Sequence, residues 1–138
     1  RSRPDMTPIE IPEAAVLVPV EDWKWYGMAA HFICAADCLF HMATQVGGYI
    51  VSTVGDLRLH EGGGRRGKRT SIGCDRDYET FVFLAGEVCT CGCGMPTIEG
   101  HEIDAEPAND PMTARENHMS MCAKYARTPT PTKEASSE

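Results

Sequence analysis

The chain has 138 residues and a net charge of −7, from 13 Lys and Arg against 20 Asp and Glu. That length suits one domain with a small core, which gains from a staple such as a metal or a disulfide. The acidic balance argues against general binding to DNA or anionic membranes, but leaves room for a local basic patch.

Seven cysteines are sparse for a disulfide scaffold, and an odd number cannot pair completely within the chain. In a reducing compartment, clustered cysteines more often bind metal. No secretory leader is visible at the start. No apolar run approaches the roughly 20 residues of a membrane-spanning helix.

Residues 1–22 hold Pro4, Pro8, Pro12 and Pro19. Each proline removes a donor and restricts its predecessor, so the segment reads as an extended arm. Val16-Leu17-Val18 could lie along the domain or on a partner. Trp23 and Trp25 follow, either as core anchors or as an exposed binding patch. Residues 28–38 read as a short helix or a strand entry. His31, Cys34, Cys38 and His41 form a secondary candidate cluster there.

Residues 39–44 and 49–54 are β-prone runs separated by Gln45-Val-Gly47-Gly48, which predicts a tight hairpin. In the second run Tyr49, Val51 and Thr53 face one side, and Ile50, Ser52 and Val54 the other. Residues 58–74 are a loop carrying Arg58, Arg65, Arg66, Lys68 and Arg69 around three glycines. It is either a solvated loop or a contact for phosphate or nucleic acid through Arg65, Arg66, Lys68 and Arg69. Its pattern is not that of a P-loop.

Tyr78 opens a third strand that runs towards Cys89. There the sequence reads Cys89-Thr-Cys91-Gly-Cys93-Gly94. An acidic connector over residues 99–110 reads as a solvated loop. Residues 111–127 are the best helix, capped by Asp110 with Pro111 behind it or by Thr113 with Glu116. Met112, Met119, Cys122, Ala123 and Ala126 make its apolar stripe, with His118 beside it. Residues 128–138 are polar and proline-punctuated, and read as a disordered tail.

Zinc takes four ligands in a tetrahedron, and close ligand pairs are common because each pair spans one edge. Cys91 and Cys93 offer one pair. His118 and Cys122, one helical turn apart, offer a second. This predicts a structural zinc site of Cys91, Cys93, His118 and Cys122, with Cys89 as an alternate ligand. The competing readings are cysteines packed as small hydrophobes and a disulfide or redox role. No nucleophile elbow, HExxH or deaminase signature appears. No residue stands out as catalytic, and a Cys/His-dependent enzyme is the lesser alternative.

The phrases His31-Phe-Ile-Cys34, Cys38-Leu-Phe-His-Met-Ala-Thr-Gln-Val-Gly47 and Val51-Ser-Thr-Val-Gly-Asp56 resemble small uncharacterised proteins of tailed bacteriophages and prophages. So do Tyr78-Glu-Thr-Phe-Val-Phe83, Cys91-Gly-Cys-Gly-Met-Pro96 and His118-Met-Ser-Met-Cys-Ala-Lys-Tyr125. The likeness covers roughly residues 25–126. It implies a non-enzymatic accessory protein in the bacterial cytoplasm or the virion, and supplies no catalytic residues. Two roles follow as expectations. One is a metal-stabilised module that binds a host or phage macromolecule, most simply a protein. The other is a virion or assembly component docking through residues 1–22.

The expected architecture is α+β. Residues 23–127 form the domain, with a small antiparallel sheet from residues 38–55 and 77–89. A C-terminal helix packs on that sheet, and zinc ties it to the 89–93 turn.

Overall fold

The computed structural model describes residues 16–26, 37–59, 68–72 and 75–131. Among these, the strands are β1 (Lys24–Tyr26), β2 (Cys38–Val46), β3 (Tyr49–Leu59), β4 (Lys68–Thr70), β5 (Tyr78–Val88) and β6 (Pro96–Ala108). One helix, α1 (Pro111–Tyr125), follows them. The sheet order is β1-β2-β3-β5-β6, with every neighbouring pair antiparallel. Short β4 pairs with the far end of β3. The architecture is therefore α+β, an antiparallel sheet with a C-terminal helix packed on it.

The predicted hairpin forms as the β2–β3 connection. Val46 pairs with Tyr49 across a two-residue turn, and Gly47 supplies the positive φ of 61° that such a turn requires. Strand alternation then sorts the side chains. Thr44, Val46, Tyr49, Val51, Thr53, Thr80 and Val82 share one face; Ala43, Ile50, Val54 and Phe83 share the other. Both faces are buried. The first packs against α1, where Met121, Cys122 and Tyr125 meet Val46, Tyr49, Val51 and Val82. The second forms a separate cluster with Cys38, Leu57 and Met95.

Residues 99–110 differ from the loop expected there, because most of them belong to β6. Its inner-facing positions are few, since an edge strand has a partner on one side and solvent on the other. The apolar pattern that betrays a central strand is absent for that reason. Its exposed carboxylates also discourage another chain from pairing with the open edge. Between Val82↔Asp104 and Leu84↔Glu99 the register shifts, so residues 100–103 stand against Phe83 alone. Gly100, at φ 70°, lets the backbone turn into this bulge.

The helix starts where proposed, and Asp110 is the cap. Its carboxylate accepts from the Thr113 N–H at 2.8 Å and from the Thr113 hydroxyl at 2.8 Å, and Pro111 occupies the first turn. These bonds hold the Asp110 carboxyl below its ordinary pKa, the Thr113 N–H contributing most. The buried stripe is Ala114, His118, Met121, Cys122 and Tyr125. Met112 and Met119 point to solvent instead. The stripe is rotated from the expected one because His118 lies at its centre rather than beside it.

Both chain ends close on this framework. The Leu17 and Val18 N–H groups donate to the Ala126 carbonyl at 2.8 and 3.1 Å. They thereby satisfy a carbonyl that the helix end leaves without a partner. Val18 and Trp23 pack on the α1 side, and the Trp23 indole donates to the Val18 carbonyl at 3.0 Å. So residues 16–18 lie along the domain. Tyr49 donates its hydroxyl to the Pro129 carbonyl at 2.6 Å, which seats the first residues of the tail beside the β2–β3 turn. Residues 1–15 and 132–138 lie outside the described residues.

Gly55 has a specific packing reason. It pairs across the sheet with Tyr78, and a Cβ there would fall 1.9 Å from a Tyr78 ring carbon. That ring meets Phe40 edge-on at 5.3 Å, so it cannot swing aside without loss. Gly55→Ala is expected to lower stability by about 2 kcal/mol, the usual range for overpacking. Urea unfolding measures this, and a change within about 0.5 kcal/mol would show that the ring relocates easily.

Candidate metal centre

Residues 89–95 join β5 to β6. The Cys89 N–H donates to the Met95 carbonyl at 2.7 Å and closes the turn. Inside that closure Gly92 and Gly94 take φ of 95° and 82°, the left-handed region that side chains disfavour. No neighbouring atom lies within 4 Å of a Cβ built at either position. Backbone conformation, rather than crowding, is what selects glycine here.

The result is convergence. The sulfur atoms of Cys89, Cys91 and Cys93 all lie within 4.8 Å of one another. Two backbone groups reinforce the arrangement. The Cys91 N–H donates to Cys89 Sγ at 3.5 Å, and the Met95 N–H donates to Cys93 Sγ at 3.4 Å. The Cys91 N–H draws the Cys89 thiol pKa down, but the Cys91 thiol and desolvation outweigh it and raise the value. Three sulfurs so close repel as thiolates, and a cation between them relieves that repulsion. The cluster could therefore hold a metal ion.

Met95 anchors the turn. It is 3% exposed and packs with Ala43, Ile50 and Phe83 on the sheet face opposite α1. Tyr26 joins the same cluster. Its hydroxyl donates to Gln45 Oε1 at 2.8 Å. Burial first, and then the charge of Cys93, raise the Tyr26 pKa. The turn thus lies on the far side of the sheet from the helix.

This placement separates the four ligands expected from spacing. Cys91 and Cys93 come together, and Cys89 joins them rather than being spare. His118 and Cys122 do not reach them. His118 is fully buried between α1 and the sheet, with Nε2 2.8 Å from the Thr44 hydroxyl and Nδ1 2.7 Å from the Thr53 hydroxyl. Thr53 in turn bonds Thr80 at 2.7 Å. Desolvation pushes the His118 pKa down to about 4, so the ring is neutral at physiological pH. Cys122 is equally buried, and burial pushes its thiol up to about 12 although a Thr44 hydrogen bond pulls the other way. A protonated thiol at that depth packs as a small hydrophobe. The hydroxyl partners were readable in outline, because alternation and pairing put Thr44, Thr53 and Thr80 on one face.

The other candidates divide. Cys38 is a core residue beside Met95 and lies outside the sulfur cluster. His31, Cys34, Arg65 and Arg66 lie outside the described residues. Lys68 and Arg69 belong to the backbone of β4. Arg58 pairs with Asp56 at 2.8 Å. Of the two tryptophans, Trp25 is half exposed and its ring lies 6.1 Å from the His118 ring. No helix among the described residues is long and apolar enough to cross a membrane.

Compared with protein-family models, curated proteins and solved structures, the chain matches none.

Proposed function

We propose that the chain is a metal-binding module whose 89–94 turn holds zinc. The convergence of three cysteine sulfurs within 4.8 Å carries this reading. Zinc bonds thiolates at about 2.3 Å, which sets tetrahedral sulfurs roughly 3.8 Å apart. Closing from the observed limit asks only for small rotations of side chains at the surface. Zinc also suits thiolates as a redox-silent, borderline-soft ion. Bound there, it would lock the β5–β6 turn over Met95. Residues 89, 91 and 93 would supply the charge, and the two N–H···S bonds would orient it.

The reading is non-catalytic. His118 and Cys122 are neighbours on one helix but are both fully buried, which suits packing better than nucleophilic chemistry. A phage-type accessory role, exercised by binding a macromolecule, rests on likeness of phrasing alone.

Protein purified without added metal should carry close to one equivalent of zinc, and a chelator should lower its melting temperature. Cys91→Ser/Cys93→Ser should abolish the zinc, whereas Cys122→Ser should leave the content unchanged. Less than about a tenth of an equivalent, with stability indifferent to the chelator, would sink the proposal.

A further inference from the structure

We infer that Cys89 and Cys93 form a thiol–disulfide exchange site, which small disulfides of the glutathione class oxidise to an intramolecular bridge while Cys91 stays a thiol. The described cysteines, Cys38, Cys89, Cys91, Cys93 and Cys122, are all thiols. Cys38 and Cys122 are 1% and 0% exposed, out of reach of a reagent in solution. Cys91 and Cys93 are exposed, and Cys89 is half-buried. The three sulfurs of the turn lie within 4.8 Å of one another. The Cys89 thiol hydrogen-bonds with both the Cys91 and the Cys93 thiols. Rotation of side chains at the surface can bring such a pair to the ~2.05 Å of a disulfide.

Chain geometry selects the pair. A bridge from Cys91 to either neighbour spans a single residue and closes a strained ring. Cys89 and Cys93 have three residues between them, and Gly92 at φ 95° turns the backbone there. The bond from the Cys89 N–H to the Met95 carbonyl, at 2.7 Å, holds the two ends of that turn together. Exposure assigns the roles. Cys93 meets solvent, and its sulfur accepts from the Met95 N–H at 3.4 Å, which steadies negative charge on it. The Cys93 thiolate attacks one sulfur of the small disulfide, whose S–S bond breaks to release one thiol. The Cys89 thiolate then attacks the Cys93 sulfur of the mixed disulfide and expels the second. The turn gives up two electrons and two protons, and the small disulfide takes both and leaves as two thiols.

Zinc would hold the same sulfurs, so the metal-free full chain is the one to oxidise. It is incubated under native conditions with a modest excess of oxidised glutathione, then unfolded, alkylated and mapped by mass. The intact mass should fall by two hydrogen atoms, and of the three turn cysteines only Cys91 should take the alkyl group. Cys38 and Cys122 should react at least about ten-fold more slowly than the turn. Cys89→Ser should stop at a stable glutathione adduct on Cys93, and Cys91→Ser should close as the natural chain does. A persistent adduct on the natural chain, or three turn cysteines still open to alkylation, would overturn the inference. Loss of closure in Cys91→Ser would overturn the pairing. A chain that closes this bridge yet takes up no zinc would defeat the metal reading and leave the inference standing.

Discussion

Replacing His118 by alanine should destabilise the protein by about 3–5 kcal/mol, the range for deleting a large buried side chain. Two losses add here. The ring fills the space between α1 and the sheet at full burial, and its removal leaves a cavity. It also satisfies the Thr44 and Thr53 hydroxyls at 2.8 and 2.7 Å. A buried hydroxyl left without a partner costs a further ~1–3 kcal/mol, unless it turns to another acceptor. Thr53 retains Thr80 and Thr44 retains the Cys122 thiol, so the cavity carries most of the loss. Against a typical domain stability of roughly 5–15 kcal/mol, the variant would sit near the edge of folding. His118→Gln keeps a donor and an acceptor on a smaller group and should lose clearly less. Urea unfolding of both variants decides the matter. A His118→Ala loss below about 1 kcal/mol would mean that the Thr–His–Thr chain is dispensable.

Acidification should weaken the protein well before its depressed aspartates titrate. The His118 pKa is about 4 when folded, against an ordinary 6.5. The unfolded chain therefore takes up a proton below pH 6.5 that the folded chain refuses until about pH 4. Stability from this residue is complete above pH 6.5 and falls as the pH drops through the window between the two values. At 1.36 kcal/mol per pKa unit, the loss approaches about 3 kcal/mol. The depressed Asp104 and Asp110 carboxyls act lower, below their ordinary value near 4. Burial raises the Glu79 carboxyl above its ordinary value, and this acts in the opposite sense as the pH falls. The downward slope between pH 6.5 and 4.5 should thus belong to His118, and His118→Gln should remove it. An equally steep slope in that variant would assign the effect elsewhere.

The likeness between the expected and observed folds has limits set by pattern strength. The β2–β3 hairpin was legible because Gly47 and Gly48 sit between two alternating runs. Helix α1 was legible from Asp110, Pro111 and its length. Strand β6 was not, because an edge strand exposed on most positions carries no apolar alternation, and its carboxylates imitate a loop. Cys91 and Cys93 were legible as a pair from spacing, with Cys89 only as an alternate, since glycines between and after them permit a turn. The expected partners, His118 and Cys122, do not join them in the structure. His118 and Cys122 have good spacing for ligands, yet spacing within a helix does not say which face of the sheet that helix covers.

By itself, then, the amino-acid order determined the local pieces: a two-glycine hairpin, an Asp-capped helix and a turn that gathers three sulfurs. Each depends on residues a few positions apart, whose conformational preferences act without the rest of the chain. The tertiary structure alone decided which pieces meet. Alternation gave the sheet two apolar faces; α1 took the one lined by Thr44 and Thr53, whose hydroxyls satisfy an imidazole. Met95 took the other, and carried the cysteine turn to the far side. A sheet's thickness therefore separates the two pairs that spacing had joined, and leaves three cysteine sulfurs gathered on the far side from the helix.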